Sequence, residues 1–192
     1  MANANVAFGL KPINLAGGSP NSNGTNAYFI KSDASAIYQG SPVIATNDGT
    51  IAITDATGDT KKHLGVFAGC EYVSSTTGAD TNFDIVGFVY DNPFQRFAIA
   101  TDATFTNRAT ALAAIFENTR LNGGTGGSST TGVSSASMDV ATLDATNASL
   151  PLKIVGLSQD VENEDYTAAG ATIIVMFNNH ALLENDVETA VS

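Results

Sequence analysis

Two histidines, a lone cysteine and one acidic run are the residues of this chain whose types could support chemistry. His63 and His180 each lie near carboxylates, but neither has a second His or Cys at ligand spacing. A zinc site built from Cys70, His63 and His180 would require one strand and a distant loop to converge on a tetrahedron, and none is expected. Cys70 alternates with Val66, Ala68 and Tyr72 in an apolar segment, which predicts a small core residue rather than a reactive thiol. Asp160, Glu162, Glu164 and Asp165 imitate a calcium loop. An EF-hand needs Gly at its sixth position and Glu at its twelfth. Here those positions hold Asp165 and Ala171, which leaves a solvated acidic turn.

The remaining motifs fail in similar ways. The glycines at 123, 124, 126 and 127 lack the Lys with which a P-loop reaches phosphates. Gly156-Leu157-Ser158-Gln159-Asp160 lacks the second glycine of a nucleophile elbow. Asn23 and Asn147 open Asn-x-Ser/Thr sequons, which a chain this rich in Asn, Ser and Thr produces by chance. No pair of groups has the spacing for acid–base or nucleophilic work. The expectation is a chain that is not an enzyme and uses no cofactor or metal.

Composition points to surfaces rather than reactions. The chain has 192 residues, 8 Lys and Arg against 19 Asp and Glu, and a net charge of −11. Polyphosphate binding needs clustered cations, and the only adjacent basic pair is Lys61-Lys62, so no nucleic-acid partner is expected. Charged residues are 14% of the chain, against about 25% in ordinary soluble domains. Mean hydropathy is +0.06. Interface cores are depleted in Lys, Glu and Asp, so this composition predicts a homo-oligomer. The longest run of large apolar residues, 173–177, is far short of a membrane span. The first residues carry neither a basic nor an apolar leader region. With a single cysteine and no disulfide framework, the chain is expected to be made in a reducing cytoplasm.

The elements that must present such surfaces are strands. Residues 1–26 read as an extended arm rich in Asn, Gly and Pro, in which Phe8, Leu10, Ile13 and Leu15 alternate with smaller or polar residues. That alternation predicts docking on a neighbour's sheet edge, with the arm ordered only in the assembled state. Residues 27–183 form the body. Asn47-Asp48-Gly49 between apolar runs is a hairpin signal. Residues 83–90 are apolar on both faces, which suits a strand between core and a second layer or a subunit interface. Residues 107–118 have good helix formers but no evident capping box, and suit a short helix or a strand equally. Residues 122–137 read as a flexible Gly/Ser/Thr surface loop, and 184–192 as an acidic frayed tail. Short strands with turn signals every few residues predict an all-β fold, a β-barrel or sandwich body with at most one short helix.

The order of segments resembles that of head decoration (capsid cement) proteins of tailed bacteriophages. The likeness lies in AFGLKPINLAGGSPNSNGTNAYFI (residues 7–30), YQGSPV (38–43), NDGTI (47–51), LGVFAGCEYV (64–73), PFQRFAIATDATF (93–105), LPLKIVGLSQDVENE (150–164) and TIIVMFNNHALL (172–183). The resemblance implies a β-rich body on the outer surface of an icosahedral head, clamping neighbouring major capsid subunits. It also implies a homo-oligomer, a trimer before a dimer, and no catalytic residues. Neighbour contact then falls to Phe8, Leu10, Ile13 and Leu15 of the arm. A phage tail subunit is the alternative within the virion. A carbohydrate- or cell-surface-binding β module is the alternative outside it; such sites usually present Trp or Tyr platforms, and this chain has no Trp.

Overall fold

Thr46 to Thr50 shows how the strands of this chain are joined. Gly49 takes φ +78, a left-handed backbone that glycine reaches without a Cβ clash. The Thr46 N–H donates to the Thr50 carbonyl at 2.9 Å, and the Asp48 carboxylate accepts from both the N–H and the hydroxyl of Thr50. The structure, a computed structural model, describes residues 3, 6–15, 24–72, 85–159 and 161–183. In chain order its strands are β1 (Lys11–Leu15), β2 (Asn26–Phe29), β3 (Pro42–Ala45), β4 (Ile51–Ile53), β5 (His63–Tyr72), β6 (Ile85–Tyr90), β7 (Gln95–Ala100), β8 (Asn118–Thr119), β9 (Leu121–Asn122), β10 (Ser137–Met138), β11 (Leu152–Leu157) and β12 (Thr172–Phe177). Among the described residues one short helix, α1 (Arg108–Ala113), follows β7, and a 3-10 turn spans Val140–Thr142. The protein is all-β.

Five strands pair in the order β2-β6-β5-β3-β4, every pair antiparallel. Ile30, just past β2, bridges Ile51 at the start of β4, and the Lys31 N–H donates to the Ile51 carbonyl at 3.0 Å. First and last strands therefore meet, closing this sheet into a small barrel with few free edge groups. Val43, Ile51, Leu64, Phe67 and Val89 form its core. A Cβ on Gly87 would stand 3.0 Å from both Ile51 and Phe67, a tight fit that a larger residue would meet only by shifting those side chains.

The second sheet is open, in the order β1-β7-β12-β11-β8, again antiparallel. Alternate residues of three neighbouring strands, Phe97 and Ile99, Ile173 and Val175, Leu152 and Ile154, are fully shut from solvent on one face. They pack with Phe105, Leu121, Met138 and Val66 of β5 into the larger core, so the barrel and the open sheet share one contact zone. The small sheet β9-β10 lies beside it.

Several expectations are corrected by these packing details. Cys70 is exposed, not a core residue. β5 also carries a bulge that takes Cys70 off the face of Val66: Phe67 pairs with Val89 but Gly69 pairs with Phe88, leaving Ala68 extra. One added residue exchanges the faces of every residue beyond it. Segment 122–137 is not a free surface loop. The Gln39 N–H donates to the Gly132 carbonyl and the Gln39 carbonyl accepts from the Ser134 N–H, Ser134 and Ala136 are buried, and a Cβ on Gly127 would fall 2.2 Å from the Tyr38 ring. Gly124, Gly126 and Gly127 answer close approach, while Gly123 and Gly132 take positive φ. Residues 107–118 resolve into α1, which does have a capping box: the Asn107 side chain accepts from the Thr110 N–H, and the Thr110 hydroxyl accepts from the Asn107 N–H. In β6, Gly87 and Val89 are buried, while Ile85 is 38% exposed. Residues 83–84, Asp160, Asn23, most of the arm before Val6 and after Leu15, and the tail 184–192 lie outside the described residues.

Candidate functional site

The four arm residues expected to contact a neighbour do not share one environment. Leu10 is 1% exposed and belongs to the larger core of its own chain. Its N–H donates to the Gly40 carbonyl at 2.9 Å. Gly9 beside it has φ +71, and a Cβ there would lie 2.6 Å from the Gly40 carbonyl oxygen. From Lys11 onward the chain runs as β1 along β7, so Leu15 pairs with Gln95 of the same molecule. Further back, Asn3 donates to the carbonyls of Asp165, Ala168 and Ala169 and accepts from the Asp165 N–H. The expectation of an arm ordered only by a neighbour is corrected for these residues: an apolar side chain close to its own core is buried there first. Ile13 remains 39% exposed. Phe8 is half-buried and, with Leu10, Ile13, Phe67 and Tyr90, lines a cleft of about 570 Å³ between barrel and open sheet.

The two histidines do converge. His63 opens β5, His180 follows β12, and they form a parallel bridge in which His63 donates to the Asn179 carbonyl and accepts from the Ala181 N–H, both at 2.9 Å. Their exposures are 0% and 2%. The His63 ring stacks on Phe177 with centroids 4.8 Å apart and planes 6° from parallel. His63 Nε2 lies 3.1 Å from the Thr54 hydroxyl. His180 Nδ1 accepts from the Leu182 N–H at 3.2 Å, which places its ring proton on Nε2. His63 Nδ1 and His180 Nε2 have no hydrogen-bond partner. Burial holds both imidazoles neutral and pushes each pKa down to about 4, against the opposing charges of Asp55 at His63 and Asp91 at His180.

Cys70 does not join them, and no group of three metal-ligating side chains occurs among the described residues. Sealed imidazoles of this kind can lock a bridge between the two sheets, but a general base must reach the proton that it removes. The convergence was invisible in sequence because the pairing is long-range and neither histidine carries a local motif.

A second polar knot ties β2 to the end of β6. The Asp91 carboxylate, 8% exposed, accepts from Asn26 Nδ2 at 2.9 and 2.8 Å and from the Tyr28 hydroxyl at 2.5 Å. Burial, then the Asp91 bond and charge, push the Tyr28 hydroxyl up to about 12. With Asn92, Gln95 and Leu182, Asn26 and Asp91 border a cavity of about 350 Å³.

Large apolar side chains stand in water while both histidines are sealed. Phe116 is 71% exposed, Val161 68%, Val6 65% and Phe94 53%. Phe116 also holds φ +79, which a bulky L-residue adopts only under strain. No helix among the described residues is long and apolar enough to cross a membrane. Comparison of the chain with protein-family models, curated proteins and solved structures finds no match. The class defined by fold and site is therefore an all-β protein with sealed polar clusters and an apolar-studded surface.

Proposed function

We propose that the protein is a non-catalytic structural subunit of a virus particle. In this reading it decorates the outer surface of an icosahedral phage head and stabilises it by clamping neighbouring major capsid subunits. One observation carries the proposal: the converging titratable side chains are sealed inside, while Phe116, Val161, Val6 and Phe94 face water. Exposed apolar groups of this size mark interaction surfaces when they gather in patches. The segment order shared with head decoration proteins supplies the identity of the partner. Many modest contacts repeated over a shell give avidity without one strong contact, and a chain of net charge −11 outside the shell does not compete for the genome.

Mixing purified protein with undecorated heads tests this. Saturable co-sedimentation is expected, with decorated heads surviving heat or chelation that ruptures bare ones, and with the protein open to antibody on intact particles. Binding to tails alone, or antibody access only after the shell is opened, would overturn it.

A further inference from the structure

The strands of the open sheet read KPINL, QRFAIA, NT, LKIVGL and TIIVMF. They contain Lys11, Arg96 and Lys153 and no Asp or Glu, in a chain with 19 acids and 8 bases. All three cations lie on one face. Lys11 pairs with Ala98, Ala98 with Ile174, and Met176 with Lys153. Arg96 is two residues from Ala98 and so shares its side of the pleat. The buried residues Phe97, Val175, Leu152 and Ile154 occupy the opposite side. Between the cations stand Ile174, Met176 and the exposed Ile13. At the sheet's far margin the Phe116 N–H donates to the Ile154 carbonyl at 2.8 Å, and Lys153 Nζ donates to the Phe116 carbonyl at 3.2 Å. The strained, exposed Phe116 is thereby fixed beside the cationic face, with Leu112, 49% exposed, one helical turn before it. Arg96 is half-buried, and its Nε, shut from solvent, has no hydrogen-bond partner.

We propose that this face, anchored by Phe116 and flanked by Lys11, Arg96 and Lys153, is the surface on which a second copy of the chain docks through its acidic exterior. Charge complementarity selects that occupant: with three of eight bases on this face, five remain against 19 acids elsewhere. At about 4.8 Å between strands, five strands span on the order of 20 Å; Lys11 and Ile13 are exposed on this face, Arg96, Lys153, Ile174 and Met176 half-buried, and Ala98 and Thr172 buried. Aromatic anchors of the Phe116 kind dominate such contacts, and rim cations set register and salt dependence. A two-fold pairing of the face with itself would oppose like charges, so the contact is heterologous, and closes into a ring or extends. The proposal rests on the self-associating part of the assembly reading and not on the shell.

Sedimentation velocity of the full chain without heads tests it. The chain is expected to form species larger than a dimer at about 0.1 mM in low salt, and to lose them as salt rises to about 0.5 M and screening shortens. Phe116→Gly and the pair Lys11→Glu with Lys153→Glu are each expected to weaken association at least about tenfold. Phe116→Gly should melt no lower than the natural chain, because glycine relieves the positive φ. A purely structural Phe116 would instead lower the melting temperature and leave association alone. Lys61→Glu, off this face, should change association little. A chain that stays monomeric, a salt-insensitive isologous dimer, unchanged association in both variants, or equal weakening by Lys61→Glu overturns the proposal. None of those outcomes bears on binding to heads.

Discussion

His63 and His180 show what burial does to a residue whose ordinary pKa lies near neutrality. Each is neutral in the fold with its pKa lowered to about 4, against 6.5 in the unfolded chain. Between those values the unfolded state binds more protons, so stability is full above pH 6.5 and falls as pH drops toward 4. At 1.36 kcal/mol per unit the loss is on the order of 3 kcal/mol for each histidine. Thermal melting across that range should show the decline. His63→Gln with His180→Asn, which keep an acceptor toward Thr54 and the Leu182 N–H, should flatten it. A melting temperature independent of pH in the natural chain would mean that the two rings are not sealed. Cys70 makes the opposite prediction from exposure. Because Cys70 is exposed in the fold, a thiol reagent should label it in the native protein without denaturant, whereas a core cysteine would wait for unfolding.

At the scale of elements, the N-terminal segment is the part whose role changes most between sequence and structure. Alternating Phe8, Leu10, Ile13 and Leu15 suits an arm for a neighbour's edge, and β1 does add to a sheet edge, that of its own molecule. Leu10, fully buried in the larger core, makes this measurable. Leu10→Ala should cost about 2–5 kcal/mol of unfolding free energy, transfer and cavity together, read from the denaturant midpoint. A removable arm would give a value near zero. The strands, hairpin and breaks of 37–73 were legible because turn residues and period-2 alternation are local signals. The β5 bulge was not, since an extra residue in a ladder is decided by the partner strand.

For the whole molecule, barrel and open sheet are joined at three places: Val66 enters the larger core, Leu10 bonds Gly40, and His63 pairs with the 179–181 segment. Elements tied through shared core and long-range backbone bonds unfold together. Calorimetry should therefore show one transition, with calorimetric and van't Hoff enthalpies in agreement. Two separated transitions would mean that the barrel and the open sheet are independent. The low charge and the apolar surface belong to this scale too, since they predict association rather than any single contact.

The sequence by itself determined the all-β class, the hairpin at Asp48-Gly49, and the lack of a P-loop or EF-hand pattern. Each depends on residues within a few positions of one another. Only the tertiary structure decided that His63 meets His180, that Gly127 and Gly124 pack tightly against Tyr38 and Asp55, and that Lys11, Arg96 and Lys153 share one face. Those outcomes depend on strand order and register, which are set by which distant apolar faces bury together, and no local pattern records that choice.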